Sequence, residues 1–242
     1  MKSLLQLVYV IYQYLIALPI FVCITIFTAI TTIVFMHWRN SAWLHSIQQF
    51  WSKSFFRLLF VKVNISGLEN INSKTSYVFV SNHQSMADVF AIYGWLPNVF
   101  KWIMKKELRK IPFVGTACAA AGHIYIDRSN KKASFLTMKK AEKILTNGVS
   151  VVIFPEGTRT HNGEVGRFKR GAFAIANDIN LPIVPITLDG FYELMPRGRF
   201  YATRKTLIMK IAKPISFSNL TEEEKVKAIE KTRQTIINNI QK

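Results

Sequence analysis

Acidic side chains are scarce in this sequence. Its 242 residues hold 14 Asp and Glu against 32 Lys and Arg, a formal net charge of +18, and the first acid is Glu69. That balance points to an anionic counterpart: nucleic acid, anionic lipid, a phosphorylated substrate or an acidic carrier protein. Zinc-finger spacing, a helix-turn-helix pattern and an RNA-recognition motif are all missing, so no nucleic acid is expected. Cysteine is nearly absent too. Cys23 and Cys118 cannot build a disulfide framework, and their apolar neighbours make them small apolar residues. His37, His45, His83, His123 and His161 show no ligand spacing, and no carboxylate cluster suits magnesium, so no metal is expected. There is also no Gly-x-Ser-x-Gly elbow and no cysteine beside a plausible base, which argues against a protein nucleophile. No internal repeat or low-complexity run is present.

Charge of either sign is absent from Ser3 to Met36. The run exceeds the roughly 20 apolar residues that span a bilayer core as a helix. It is too long for a secretory signal peptide, and no small-residue cleavage site comes after it. Pro19 near its middle leaves two membrane readings. One is a single long tilted helix. The other is a pair of shorter helices meeting near Pro19-Ile20, a hairpin that enters one leaflet. A buried helix of a soluble protein is the third reading. Trp38-Arg39, Trp43, Trp51, Lys53, Arg57 and Lys62 come next, an interface pattern of tryptophan with basic residues.

Beyond this point apolar runs alternate with helical spacing. Strands are expected at Leu59 to Ile65, Tyr77 to Val80, Val99 to Met104, His123 to Asp127, Val149 to Phe154, Ile183 to Leu188 and Thr206 to Ala212. Helices are expected at Val89 to Leu96, stopped by Pro97, and at Lys131 to Thr146, closed by Asn147-Gly148. Two more are expected at Phe168 to Ile179 and from a capping box at Thr221 to about Ile240. This alternation predicts an α/β fold, a mostly parallel, mixed sheet with helices on both faces.

Two stretches carry chemistry. Ser81-Asn82-His83-Gln84-Ser85-Met86-Ala87-Asp88 succeeds the second strand, and Ser85 with Asp88 has capping-box spacing. Across a tight turn Asp88 can reach one imidazole nitrogen of His83 and leave the other free to take a proton. The alternative is that Asp88 only caps its helix and His83 is an ordinary loop histidine. Pro155-Glu156-Gly157-Thr158-Arg159-Thr160 succeeds the Val149 to Phe154 strand.

Four blocks in order, Asn82-His83 to Asp88, Gly122 to Arg128 (GHIYIDR), Phe154 to Arg159 (FPEGTR) and Leu181 to Ile186 (LPIVPI), resemble the 1-acyl-glycerol-3-phosphate acyltransferases. The resemblance covers roughly residues 60 to 215. It implies acyl transfer from an acyl thioester, acyl-CoA or acyl-carrier protein, to the sn-2 hydroxyl of 1-acyl-glycerol-3-phosphate, giving phosphatidic acid. His83 is then the base and Asp88 its orienting partner, with the substrate hydroxyl in the serine's place. Arg159 is the first choice for the acceptor phosphate, supported by Arg128 and Lys105. Gly157 lets the loop backbone, with Thr158, come close to the ligand. Glu156 would repel a phosphate, so it is expected to fix Arg159 or the loop. The Leu181 to Ile186 block reads as a core strand, and in the family as part of the acyl-chain wall.

The resemblance also implies that residues 1–58 form a two-helix membrane element, re-entrant rather than spanning, on the cytoplasmic face. Residues 59–242 would be the catalytic domain. Expected partners are lysophosphatidic acid, an acyl thioester and anionic membrane lipid, with acyl-carrier protein as one donor, and no cofactor beyond that donor. Rival readings are a sibling acting on another lysolipid, such as a lyso-ornithine lipid, and a non-catalytic basic lipid-binding protein at the membrane.

Overall fold

A computed structural model describes residues 2–111, 113–127, 144–145, 148–178, 180–218 and 220–241. The chain opens with α1 (Lys2–Tyr12), a π-helical turn (Gln13–Ala17) and α2 (Leu18–Val34). These run on as one helix, so the hairpin expected at Pro19-Ile20 is not there. Pro19 causes no break because Leu15, whose carbonyl its ring would meet in a regular α-helix, lies in the π-helical turn directly before it, and that wider turn takes the ring in. The widened turn before it is closed by a bond from Leu18 N–H to Gln13 O. The chain turns back later, over Phe35 to Ser41, into α3 (Ala42–Leu58). The N-terminal element therefore does have two helices, α1–α2 and α3, with the bend displaced.

One side of α1–α2 lies along the rest of the protein. Tyr9 and Tyr12 donate to the carbonyls of Leu59 (2.6 Å) and Leu58 (2.9 Å). Gln13 bonds Ala202 in both directions, at 2.9 and 2.7 Å. Phe21 packs on Trp51 and Phe55, Trp51 Nε1 donates to Thr25 Oγ1 (2.9 Å), and Thr28 and Thr32 are buried. The other sides are bare, with Leu15 72% exposed.

The sheet comprises β1 (Val63–Ser66), β2 (Val78–Ser81), β3 (Phe100–Lys105), β4 (Ile124–Ile126), β5 (Ser150–Ile153), β6 (Ile183–Asp189) and β7 (Leu207–Ile211). Their spatial order is β1-β7-β6-β2-β5-β3-β4. β2 to β6 run one way, and β7 is antiparallel to β6 and parallel to β1. Successive side chains face opposite ways, as a pleated strand requires. Phe79, Val152, Val184 and Ile186 meet α3 and α4 (Ala87–Trp95) on one face. Val78, Val80, Val151 and Ile183 meet α6 (Ala174–Asp178) and α8 (Glu222–Asn239) on the other. Two further short helices among the described residues are α5 (Val114–Ala120) and α7 (Phe191–Leu194).

Two expectations shift. β1 starts at Val63 rather than Leu59, because α3 runs to Leu58 and the chain then turns through Phe60 at φ 52°. The helix expected from Phe168 shrinks to a 3₁₀ turn and α6. Lys169 N–H is taken by Pro155 O (3.0 Å), and Gly171 lowers the helix propensity of this segment. Of the helix expected over 131–146, only Ile144 and Leu145 lie within the described residues, and Arg128 lies outside them. The Thr221 capping box forms in full, with Glu224 N–H donating to Thr221 Oγ1 and Thr221 N–H to Glu224 Oε2.

Lys101 of β3 fastens the N-terminal element to the sheet. It is 2% exposed, and its Nζ donates to the carbonyls of Arg39 (2.9 Å) and Ala121 (2.7 Å). The Arg39 side chain in turn crosses Gly122, where a Cβ would meet it at 3.0 Å. Burial, with Arg39 beside it, lowers the Lys101 pKa to about 7. The unfolded chain keeps this proton up to pH 10.5, whereas the folded one releases it near 7. Unfolding therefore takes up a proton between those values, and raising the pH through that window stabilises the fold. The slope is at most about 1.4 kcal/mol per pH unit. In Lys101→Met this rise should be missing from the thermal midpoint measured between pH 7 and 10. An unchanged pH profile would show that the lysine keeps an ordinary affinity for its proton.

Candidate active site

β2 ends at the C-terminal edge of the five co-directional strands, where a sheet of this kind leaves its ligand crevice. The next residue, Asn82, is fully buried. Its amide donates to Leu188 O (2.8 Å) and accepts from Leu188 N–H (2.9 Å), one extra rung of the β2–β6 ladder made by a side chain. The backbone is thereby free to turn.

His83 comes next. Its Nδ1 lies 2.7 Å from Asp88 Oδ2, and Asp88 is fully buried in the first turn of α4. The same oxygen accepts the N–H groups of Gln84 (2.6 Å) and Ser85 (2.8 Å). The expected capping box is thus half made: Asp88 takes the Ser85 N–H, while Ser85 Oγ accepts from Ala87 N–H (3.2 Å) and donates to Met195 O (2.8 Å). A carboxylate held by two N–H donors can only accept from the imidazole, so the proton sits on Nδ1 and Nε2 carries a lone pair. Nε2 has no hydrogen-bond partner among the described residues, and the His83 side chain is 18% exposed.

The loop after β5 holds this turn from the other side. Glu156 Oε1 accepts His83 N–H (2.8 Å) and Oε2 accepts Gly166 N–H (2.9 Å). A Cβ at position 166 would come within 2.9 Å of Oε2 and push the Glu156 carboxylate aside. Burial raises the Glu156 pKa, and the two backbone N–H groups partly offset it. Thr160 N–H donates to His83 O (2.9 Å). The Phe154 ring lies flat on the imidazole, centroids 3.9 Å apart, and Trp102 stacks behind it at 5.4 Å. Gly157 makes the bend at φ 76°, Thr158 is exposed, and Arg159 is half-buried with no ion pair among the described residues.

The structure therefore joins His83, Asp88 and Glu156 by direct bonds and puts Gly157, Thr158 and Arg159 on the same loop. Lys105 stands apart. It ends β3, with β5 between it and β2, and pairs with Glu107 at 3.7 Å, both side chains exposed. Asn82, Phe154 and Gly166 also help to hold the His83 turn, and sequence reasoning gave them no role. Asn82 and Phe154 stand inside two of the four sequence blocks; Gly166 had no signal. Among the described residues no three His, Cys, Asp or Glu side chains gather as a metal site.

Comparison with known proteins gives a consistent picture. The acyltransferase family model matches residues 62–189. A chloroplastic 1-acyl-sn-glycerol-3-phosphate acyltransferase of Arabidopsis thaliana is 39% identical over 155 residues, 64% of this chain and 43% of that protein. Its Saccharomyces cerevisiae counterpart is 32% identical over 186 residues, 76% and 61% of the two chains. The alpha form from Homo sapiens is 33% identical over 178 residues, 73% and 63%. The chain thus spans 43–63% of the length of these curated relatives. The crystal structure of the 1-acyl-sn-glycerophosphate acyltransferase PlsC from Thermotoga maritima superposes with a TM-score of 0.80 at 28% identity, covering 98% of this chain and 97% of that one.

Proposed function

Because the chain belongs to the acyltransferase family, we propose that it transfers an acyl group from an acyl thioester to the sn-2 hydroxyl of 1-acyl-glycerol-3-phosphate, giving phosphatidic acid. The observation that carries this reading is the His83–Asp88 pair with Nε2 unpaired and reachable. Nε2 takes the hydroxyl proton as that oxygen attacks the thioester carbonyl. Asp88 stabilises the imidazolium that forms, and the proton passes on to the departing thiolate. The substrate supplies the nucleophile, so no cofactor beyond the acyl donor is needed. The donor is acyl-CoA or an acyl-carrier protein.

Arg159 is the phosphate's partner in this scheme, and its neighbour Thr160 donates its N–H to His83 O. Arg159→Ala should raise the acceptor Michaelis constant by about 10–150-fold, the range of a charge-assisted bond. The donor constant should stay put, and Arg159→Lys should recover only part because it lacks the fork. Steady-state kinetics varying each substrate in turn makes the comparison. A change confined to the donor constant would move Arg159 to the donor's site.

The same reading places α1–α2 in the membrane interface, not across it. The helix is held to the domain from Tyr9 to Thr32, so a perpendicular span would pull α3, with Lys53 and Arg57, into hydrocarbon. Both ends then stay on the cytoplasmic face, next to anionic lipid. Acyl transfer by the purified protein, measured with a panel of lysolipid acceptors and both donor types, tests the assignment. Preference for a lysolipid without phosphate would overturn it.

A further inference from the structure

The two most exposed large hydrophobic side chains among the described residues lie outside α1–α2. They are Phe113, 78% exposed, and Phe200, 75% exposed. Phe113 stands on the loop after β3, and Phe200 on the one after β6. In the order β6-β2-β5-β3 those strands flank the two that carry the His83 turn and the Glu156 loop. The aromatic loops thus straddle the site at one edge of the sheet.

The Phe200 loop and the helix that Phe113 opens both touch the same bare apolar helix. Tyr14 OH donates to Phe200 O (3.5 Å), and Gln13 holds Ala202. α5, which Phe113 opens, packs against α2. Leu108, Ile111 and Val114 beside Phe113 are 40%, 43% and 44% exposed, with Arg109 and Lys110 among them. Phe200 sits between Arg199 and Arg204, and no acid occurs from Leu194 to Thr221. Phe113 adopts φ 60°, ψ −50°, a strained backbone for a bulky residue.

We propose that Phe113 and Phe200 are the tips of two lipid-touching loops that seat the active-site edge of the sheet on an anionic bilayer. The proposal rests on the reading of α1–α2 as an interfacial helix and extends it to the catalytic domain. Aromatic rings favour the headgroup level, where an apolar body and a wet surrounding coexist. The flanking arginines and lysines are drawn to anionic lipid. An acidic carrier protein would suit the arginines, but it leaves the continuity with the bare helix unexplained.

Full-length Phe113→Trp, Phe200→Trp and Leu68→Trp are compared on phosphatidylglycerol vesicles with and without brominated acyl chains. Leu68 comes after β1, which runs opposite to the central strands, so it marks the far edge of the sheet. Fluorescence added at 113 and 200 should be quenched by the bromolipid, and that added at 68 should not. Phe113→Asp with Phe200→Asp should lower activity on vesicle-borne acceptor about tenfold and leave that on a monomeric short-chain acceptor unchanged. If Trp38 and Trp43 are quenched but positions 113 and 200 are not, the loops are not lipid contacts, while the interfacial helix stands. If nothing is quenched and the protein stays in solution, the helix reading falls and takes this one with it. A loss limited to carrier-protein donor, without quenching, would assign the loops to the carrier instead.

Discussion

His83→Ala should lower turnover by about 10²–10⁴-fold, the usual contribution of a positioned base, in a protein that stays folded. The fold tolerates the change because the buried Asp88 is not stranded by it. Oδ2 keeps the N–H groups of Gln84 and Ser85, and the losses are its bond from His83 Nδ1 and the ring's contact with Phe154. Asp88→Asn is informative in a different way. The two backbone donors pin the amide oxygen where Oδ2 was, so it can still accept from Nδ1 and the tautomer survives. The negative charge that stabilises the imidazolium is gone, and turnover should fall by about a hundredfold or more with little movement of the ring. Thiol release from the acyl donor gives the rates, and circular dichroism with thermal melting confirms the fold. Wild-type turnover in a folded His83→Ala protein would remove the base from the mechanism.

Glu156→Ala should cost both stability and turnover. It leaves His83 N–H and Gly166 N–H without acceptors in a buried place, at about 1–3 kcal/mol each. Against a typical total of about 5–15 kcal/mol, such a loss lowers the melting temperature visibly. It also unties the His83 turn, so the rate falls even where the protein remains folded. Glutamine is no rescue: its one oxygen can serve only one of the two N–H groups, and its NH₂ meets the other donor to donor. Aspartate is a methylene too short to bridge both. Melting curves and turnover on the three variants read this out, and a Glu156→Gln enzyme with normal melting and normal rate would show that the bridge is dispensable.

Much of this was legible from local patterns. β2 and β5 fall within a residue of their apolar runs, because strands buried on both faces write themselves as continuous hydrophobic stretches. His83 and Asp88 could be paired because a strand-to-helix turn brings such a short spacing together. The features that stayed hidden depend on partners far away in sequence. Glu156 reaches a backbone N–H 73 positions before it, and Asn82 binds a strand 106 positions on. Neither bond has a local signature. The proline in α1–α2 suggested a break because a lone Pro usually ends or kinks a helix, and nothing nearby in sequence announced the wide turn that takes it in.

That wide turn has a consequence for helical phase. The positions that meet the domain step by four: Tyr9, Gln13, Ala17, Phe21, Thr25. In an α-helix of 3.6 residues per turn each such step overshoots by about 40°, so four of them wind the contact line roughly halfway around the cylinder. A π turn absorbs one surplus residue, about 100° of that drift. A plain α-helix of the same sequence would carry Phe21 and Thr25 off the surface that Tyr9 and Gln13 hold. Deleting one residue among 14–16 would restore regular α-geometry with both halves still in phase, whereas the same deletion in α2 would rotate one half away from its partners.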